Sequence, residues 1–70
     1  MRNTTKLKFI LYKYTVSFDL EDDSLFTMTL IDKDNGEGVE FQAKSYSTVI
    51  SKAYSHLLRE LKKEEKGIDR

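Results

Sequence analysis

The chain has 70 residues, twelve of them basic and twelve acidic, with no net charge at pH 7 and no cysteine or proline. That length holds one small core, the missing cysteines exclude a disulfide framework and thiolate metal sites, and the balanced charge argues against a strongly basic nucleic-acid binder. The apolar run ending before Lys13 is too short for a signal-peptide core or a membrane span. The expectation is therefore a cytoplasmic protein without membrane association. Residues 1–5 read as a frayed N-terminus, 6–66 as a single domain and 67–70 as a C-terminal tail.

Residues 6–20 are rich in β-favouring side chains, among them Phe9, Ile10, Tyr12, Tyr14, Val16 and Phe18. Their alternation changes phase. Leu7, Phe9 and Leu11 stand at odd positions, whereas Tyr14, Val16, Phe18 and Leu20 stand at even ones. Strand pairing cannot slip by one residue without turning every side chain to the other face. This implies a bulge or bend at residues 11–13, or residues 7–11 leaving the sheet altogether. Glu21, Asp22 and Asp23 form a turn, followed by a second strand over residues 24–32 with Phe26, Met28 and Leu30 on one face. Asn35-Gly36 predicts a tight hairpin turn, and a third strand follows over residues 39–43 with Val39, Phe41 and Ala43 on one face.

A two-residue Asn-Gly turn sets Leu30 opposite Phe41 and Met28 opposite Ala43. A short turn at residues 21–23 sets Phe18 opposite Phe26, Val16 opposite Met28 and Tyr14 opposite Leu30. Both hairpins then place their apolar residues on one face, and this agreement between turn chemistry and pattern supports the meander. The other face carries Thr15, Ser17, Asp19, Leu25, Thr27, Thr29, Ile31, Glu40 and Gln42, and reads as solvated apart from Leu25 and Ile31.

Residues 45–66 form the clearest element. At about 100° per residue, Tyr46, Val49, Ile50, Ala53, Tyr54, Leu57, Leu58 and Leu61 fall within about half the circumference of a helix. Ser45 and Ser47 are candidate N-caps, and Gly67 a candidate stop. The fold expected is α+β: a three-stranded antiparallel β-meander in the order β-β-β-α, with the C-terminal amphipathic helix packed on one face. Its core is expected to hold Val16, Phe18, Phe26, Met28, Leu30, Phe41, Ile50, Ala53, Leu57 and Leu61.

No catalytic constellation emerges. His56 is the only histidine, and the helical wheel sets it on the polar side, with Glu60 one turn on. A zinc site or a general base needs further ligands or a nucleophile beside it. Asp32, Asp34, Asn35 and Glu37 suggest a calcium loop, but Gly36 stands fifth from Asp32 rather than sixth, and no acid stands twelfth. The two acidic turns belong at opposite ends of a meander, which disfavours a carboxylate pair. The expectation is a non-enzyme without cofactor, metal or small-molecule substrate.

Two surfaces remain. Lys52, His56, Arg59, Lys63 and Lys66 recur at helical spacing as a basic ridge, a candidate contact for nucleic acid or an acidic partner. Leu7, Phe9 and Leu11, or alternatively Ile10 and Tyr12, lack an internal cover together with Leu25 and Ile31; Leu7, Phe9, Leu11, Leu25 and Ile31 are the candidate protein interface, with the N-terminal strand as a pairing edge for a second copy or another protein. A homodimer or a protein complex is the expected assembly.

The pieces Tyr14-Thr15-Val16-Ser17-Phe18, the acidic turn at residues 21–24, the strand at 25–32 and the helix at 47–61 resemble the N-terminal domain of HicB-type antitoxins. The family's Pro-Asp-Leu-Pro-Gly turn is replaced by Ile31-Asp32-Lys33-Asp34-Asn35-Gly36. The resemblance implies a sheet-plus-helix fold and an antitoxin-like regulator acting through protein–protein contact. By analogy of size and type alone, small accessory proteins of phages and mobile elements, including inhibitors of host enzymes, share this build. The three-strand-plus-helix order is also similar to DNA-binding domains of phage-integrase type. Those read DNA with a basic sheet, whereas this sheet carries Asp19 and Glu40. The function expected is a small protein-binding module, with nucleic-acid binding through the basic helix face as the alternative.

Overall fold

The computed structural model describes residues 1–68, with side chains described for residues 1–64; the tail beyond residue 68 lies outside the described residues. The element order is α1 (Asn3–Lys13), β1 (Tyr14–Glu21), β2 (Leu25–Asp32), β3 (Gly38–Ala43) and α2 (Tyr46–Ile68). The three strands form one antiparallel sheet in the order β1-β2-β3. The α+β class and the meander are as expected. The order is α-β-β-β-α, however, and not β-β-β-α.

The correction lies in α1. Residues 3–13 are helical rather than frayed and then extended. A helix brings Leu7, Ile10 and Tyr14 onto one line, whereas a strand would turn Leu7 and Ile10 to opposite faces. Ile10 and Tyr14 are buried in the core, and Leu7 packs against it. An isolated helix of this length is marginal in water, so its packing on α2 decides the conformation against local β propensity. Its first turn closes onto Arg2, whose carbonyl accepts from Thr5 and Lys6 N–H at 3.1 and 3.0 Å. At its end Tyr14 N–H donates to Ile10 O, and the chain passes directly into β1.

Both hairpins pair two residues away from the expected register. Phe18 faces Met28, Leu20 faces Phe26 and Val16 faces Leu30. Met28 faces Phe41, Leu30 faces Val39 and Phe26 faces Ala43. A shift of two preserves which face each side chain occupies, so the apolar face survives intact. The turn chemistry explains the shift. In the first turn Asp22 and Asp23 take positive φ of 51° and 59°, a conformation that Asp tolerates better than most residues, and Ser24 N–H donates to Glu21 O at 3.1 Å. In the second, Asn35-Gly36 is not the centre of a two-residue turn. Asp32 N–H donates to Glu37 O at 2.8 Å, and Gly36 N–H to Asp32 O at 2.9 Å. The Asp32 carboxylate accepts from Asp34 and Asn35 N–H at 2.8 and 3.4 Å. This Asx-type cap widens the loop and leaves Gly36 alone at positive φ, 76°.

Ser45 is the N-cap of α2: its Oγ accepts from Thr48 N–H at 3.1 Å. Ser47 has another role, its Oγ accepting from Asn3 Nδ2 at 2.8 Å. The helix does not stop at Gly67 but runs through it; a helical glycine costs only about 1 kcal/mol. The buried core comprises Ile10, Tyr14, Met28, Leu30, Ala43, Val49, Ile50, Ala53 and Leu57, with Val16, Phe26 and Phe41 partly buried against it. Phe18 and Leu61, expected inside, are exposed. The helices share one face of the sheet, and Thr15, Ser17, Asp19, Ile31, Glu40 and Gln42 stay exposed on the other.

Candidate functional site

α1 and α2 lie side by side and run in the same direction. Asn3 meets Ser47 and Lys6 Nζ donates to Ser51 Oγ at 3.1 Å, while Lys13 Nζ reaches Glu64 Oε1 at 3.0 Å, so contact positions rise together along both helices. In the crease between them opens a groove of about 530 Å³. Its floor and walls are Phe9 and Tyr12 of α1 and Tyr54, Leu57, Leu58 and Leu61 of α2; Lys13, Asp34 and Glu64 form its rim. Phe9 and Tyr12 are 43% and 68% exposed, and Leu58 and Leu61 45% and 44%.

The electrostatics of the rim centre on Lys13. Its ammonium sits between Asp32 Oδ2 at 3.3 Å and Glu64 Oε1 at 3.0 Å. The hydrogen bond to Glu64, with a smaller contribution from Asp32, holds the ammonium well above the usual lysine value, against the opposing effect of burial. The Asp32 carboxyl is held below the usual carboxylate value, first by the Asp34 N–H and then by Lys13, burial again opposing. Glu64 is thus paired with Lys13, and the Lys33 ammonium donates to Leu11 O at 2.7 Å, so this end of the groove carries charges of both signs.

Only one member of the expected interface lines this groove. Phe9 does; Leu7 and Leu11 lie on another side of α1, in a shallow apolar surface with Thr4, Lys8 and Tyr12. Leu25 and Ile31 are on the open face of the sheet and do not join them. The expected pairing edge over residues 7–11 does not exist, because that segment is helical. The expected interface also omits Tyr12, Tyr54, Leu58 and Leu61. A signal for the α2 members is present in the sequence: an apolar stripe half a helix wide exceeds what one sheet face can cover.

Two members of the expected basic ridge make local contacts. Lys52 Nζ donates to Gln42 O at 2.9 Å, and Lys63 pairs with Glu60 at 3.2 Å. His56 is not on the polar side: it flanks the buried sector and is half-buried, its ring 6.1 Å from that of Tyr14 and 5.5 Å from that of Phe41. Arg59 is exposed, and the Lys66 side chain lies outside the described residues. Beside His56 a hollow of about 100 Å³ is lined by Tyr14, Asp32, Glu37 and Glu60 among others. Burial pushes the Tyr14 phenol up. Among the described residues no group of three His, Cys, Asp or Glu is placed to hold a metal ion, and no helix is long and apolar enough to cross a membrane. No protein-family model matches the chain, and neither a curated protein nor a solved structure does.

Proposed function

We propose that this chain is a small non-enzymatic protein-binding module whose groove between α1 and α2 receives an amphipathic helix of another protein. The observation that carries this reading is the exposure of Phe9, Tyr12, Leu58 and Leu61 around one groove. Apolar side chains gathered in a helix-lined groove suit the apolar stripe of a third helix, with anchors at successive turns. The resemblance of residues 14–61 to the N-terminal domains of HicB-type antitoxins supports the same class, a regulator or inhibitor acting by contact with another protein. The pairing of Lys63 with Glu60 and the half-buried place of His56 weaken the basic ridge as a contact surface, which puts nucleic-acid binding behind this reading.

The test is affinity capture from a lysate of the source organism with the wild type and Leu58→Glu in parallel. The expected result is a stoichiometric protein retained by the wild type and lost by the variant, with an unchanged circular dichroism spectrum. A wild type that retains nucleic acid and no protein, or a variant that holds the same protein equally well, overturns the proposal.

A further inference from the structure

β1 is an edge strand whose far half is uncovered. α2 packs on β2 and β3, and α1 reaches β1, yet Phe18 and Leu20 remain 42% and 48% exposed on the helix-bearing face. In an antiparallel ladder, alternate residues of an edge strand turn both backbone groups inward or outward. Lys33 N–H donates to Lys13 O at 3.0 Å. With the observed register this sets Thr15, Ser17 and Asp19 toward β2, and directs the N–H and C=O groups of Val16, Phe18 and Leu20 outward. Leu20 N–H is guarded by the neighbouring Asp19 carboxylate at 2.9 Å. Among the described residues no such contact guards Val16 or Phe18.

The other edge is protected. Asp32 N–H donates to Glu37 O, so Glu40 and Gln42 of β3 face outward. Glu40 places a charge there, and Lys52 occupies the Gln42 carbonyl. Short, charged edges resist pairing; a longer edge with exposed apolar side chains invites it. We infer that β1 pairs antiparallel with β1 of a second copy, about a two-fold axis at Phe18, joining two sheets into one.

The strand is self-complementary in that register. Phe18 meets its own counterpart and Val16 meets Leu20, so the apolar side chains stack on the helix-bearing face. On the open face Ser17 meets Asp19 and Thr15 meets Glu21, so each carboxylate faces a hydroxyl. An axis at Asp19 would set two carboxylates directly opposite. An axis at Ser17 would pair Leu20 with Tyr14, whose N–H is fixed in the backbone by Ile10 O, whereas the Phe18 register asks only that the exposed Asp19 carboxylate release the adjacent Leu20 N–H to Val16 O of the second copy. Phe18 also carries an aromatic cluster to the axis, its ring 5.7 Å from that of exposed Tyr46, which in turn lies 6.2 Å from that of Phe26. The two-fold makes one patch serve both subunits.

Sedimentation equilibrium of the wild type, Ser17→Glu and Ser17→Lys tests the pairing. Ser17 is exposed on the open face, so neither substitution touches the core, and far-UV circular dichroism serves as the folding control. The wild type is expected at twice its 8.2 kDa chain mass. Ser17→Glu, set against Asp19 of the second copy at two symmetric places, should raise the dimer Kd by roughly two- to thirty-fold, the scale of two cross-strand charge contacts. Ser17→Lys should lower it. A wild type that stays monomeric at 100-fold dilution from about millimolar stock and at that stock overturns the inference. So do two variants that shift Kd in the same direction, or not at all. Leu58→Glu should leave the dimer intact, so failure of the groove and failure of the strand edge are told apart.

Discussion

Lys13 Nζ lies 3.3 Å from Asp32 Oδ2, and both side chains are largely shielded from solvent. Lys13 is the last residue of α1 and Asp32 the last of β2, so the contact ties the N-terminal helix to the sheet where the second hairpin opens. The same ammonium reaches Glu64 on α2. Replacing Lys13 with Met should lower the melting temperature measurably and loosen α1, read as faster amide exchange over residues 3–13. Lys63→Met breaks only an exposed pair with Glu60 and should stay within about 0.5 kcal/mol of neutral. Equal effects of the two would remove the special role of Lys13.

Asp32 also makes stability depend on acid. Its folded pKa is below the unfolded value near 3.8, so the unfolded chain binds more protons between the two. The contribution of Asp32 is fully present above about pH 4 and is lost as pH falls through the lower, folded value. Lys13 has the opposite sign: its raised pKa gives a contribution fully present below the unfolded value of 10.5 and lost as pH rises through the folded one. Denaturant titrations at pH 2–6 should show a stability decline in the wild type that is smaller in Asp32→Asn. That variant keeps a side-chain oxygen for the Asp34 N–H and loses the charge.

Ile10 and Phe9 are neighbours with opposite fates. Ile10 is fully buried and Phe9 is not. Ile10→Ala should cost about 2–5 kcal/mol, and Phe9→Ala less than about 1 kcal/mol. An N-terminal strand with Phe9 facing the core would reverse the order. Urea unfolding of the two variants decides it.

Gly36 has φ +76° and nothing within 4 Å of the position a Cβ would take. Gly36→Ala should therefore cost about 1 kcal/mol through backbone strain alone. Gly36→Asn should cost less, because Asn enters the left-handed region more readily. A neutral Gly36→Ala in thermal melts would mean that the loop relaxes.

Leu57 and Leu61 separate the helix stripe into inner and outer members. Leu57→Ala should cost about 2–5 kcal/mol. Leu61→Ala, at a half-exposed site, should cost about 1 kcal/mol. Matching losses in chemical denaturation would put Leu61 inside.

The sequence by itself determined the elements whose period is strong and whose ends carry specific chemistry. Strand alternation set the faces of Phe26, Met28 and Leu30, and the spacing of Val49, Ile50, Ala53 and Leu57 set the buried line of α2, while the choice of Ser45 over Ser47 as its cap came from the structure. These are local properties, and faces survive a two-residue change of register because side chains alternate with period two. Tertiary structure decided the rest. Residues 3–13 carry apolar side chains around most of a helix and also read as a strand, so only the packing of Ile10 against α2 and the sheet selects the helix. The registers followed the conformations the two turns adopt, with Asp22 and Asp23 at positive φ in the first and the Asp32 carboxylate capturing loop N–H groups in the second, and Lys13 from a distant part of the chain meets that carboxylate. The groove belongs to neither helix alone: Phe9 and Tyr12 come to face Leu58 and Leu61 only because α1 and α2 lie parallel. Local propensity is worth tenths of a kcal/mol per residue, whereas burying one side chain such as Ile10 is worth about 1.5–3 kcal/mol. Where the two disagree, burial settles the structure.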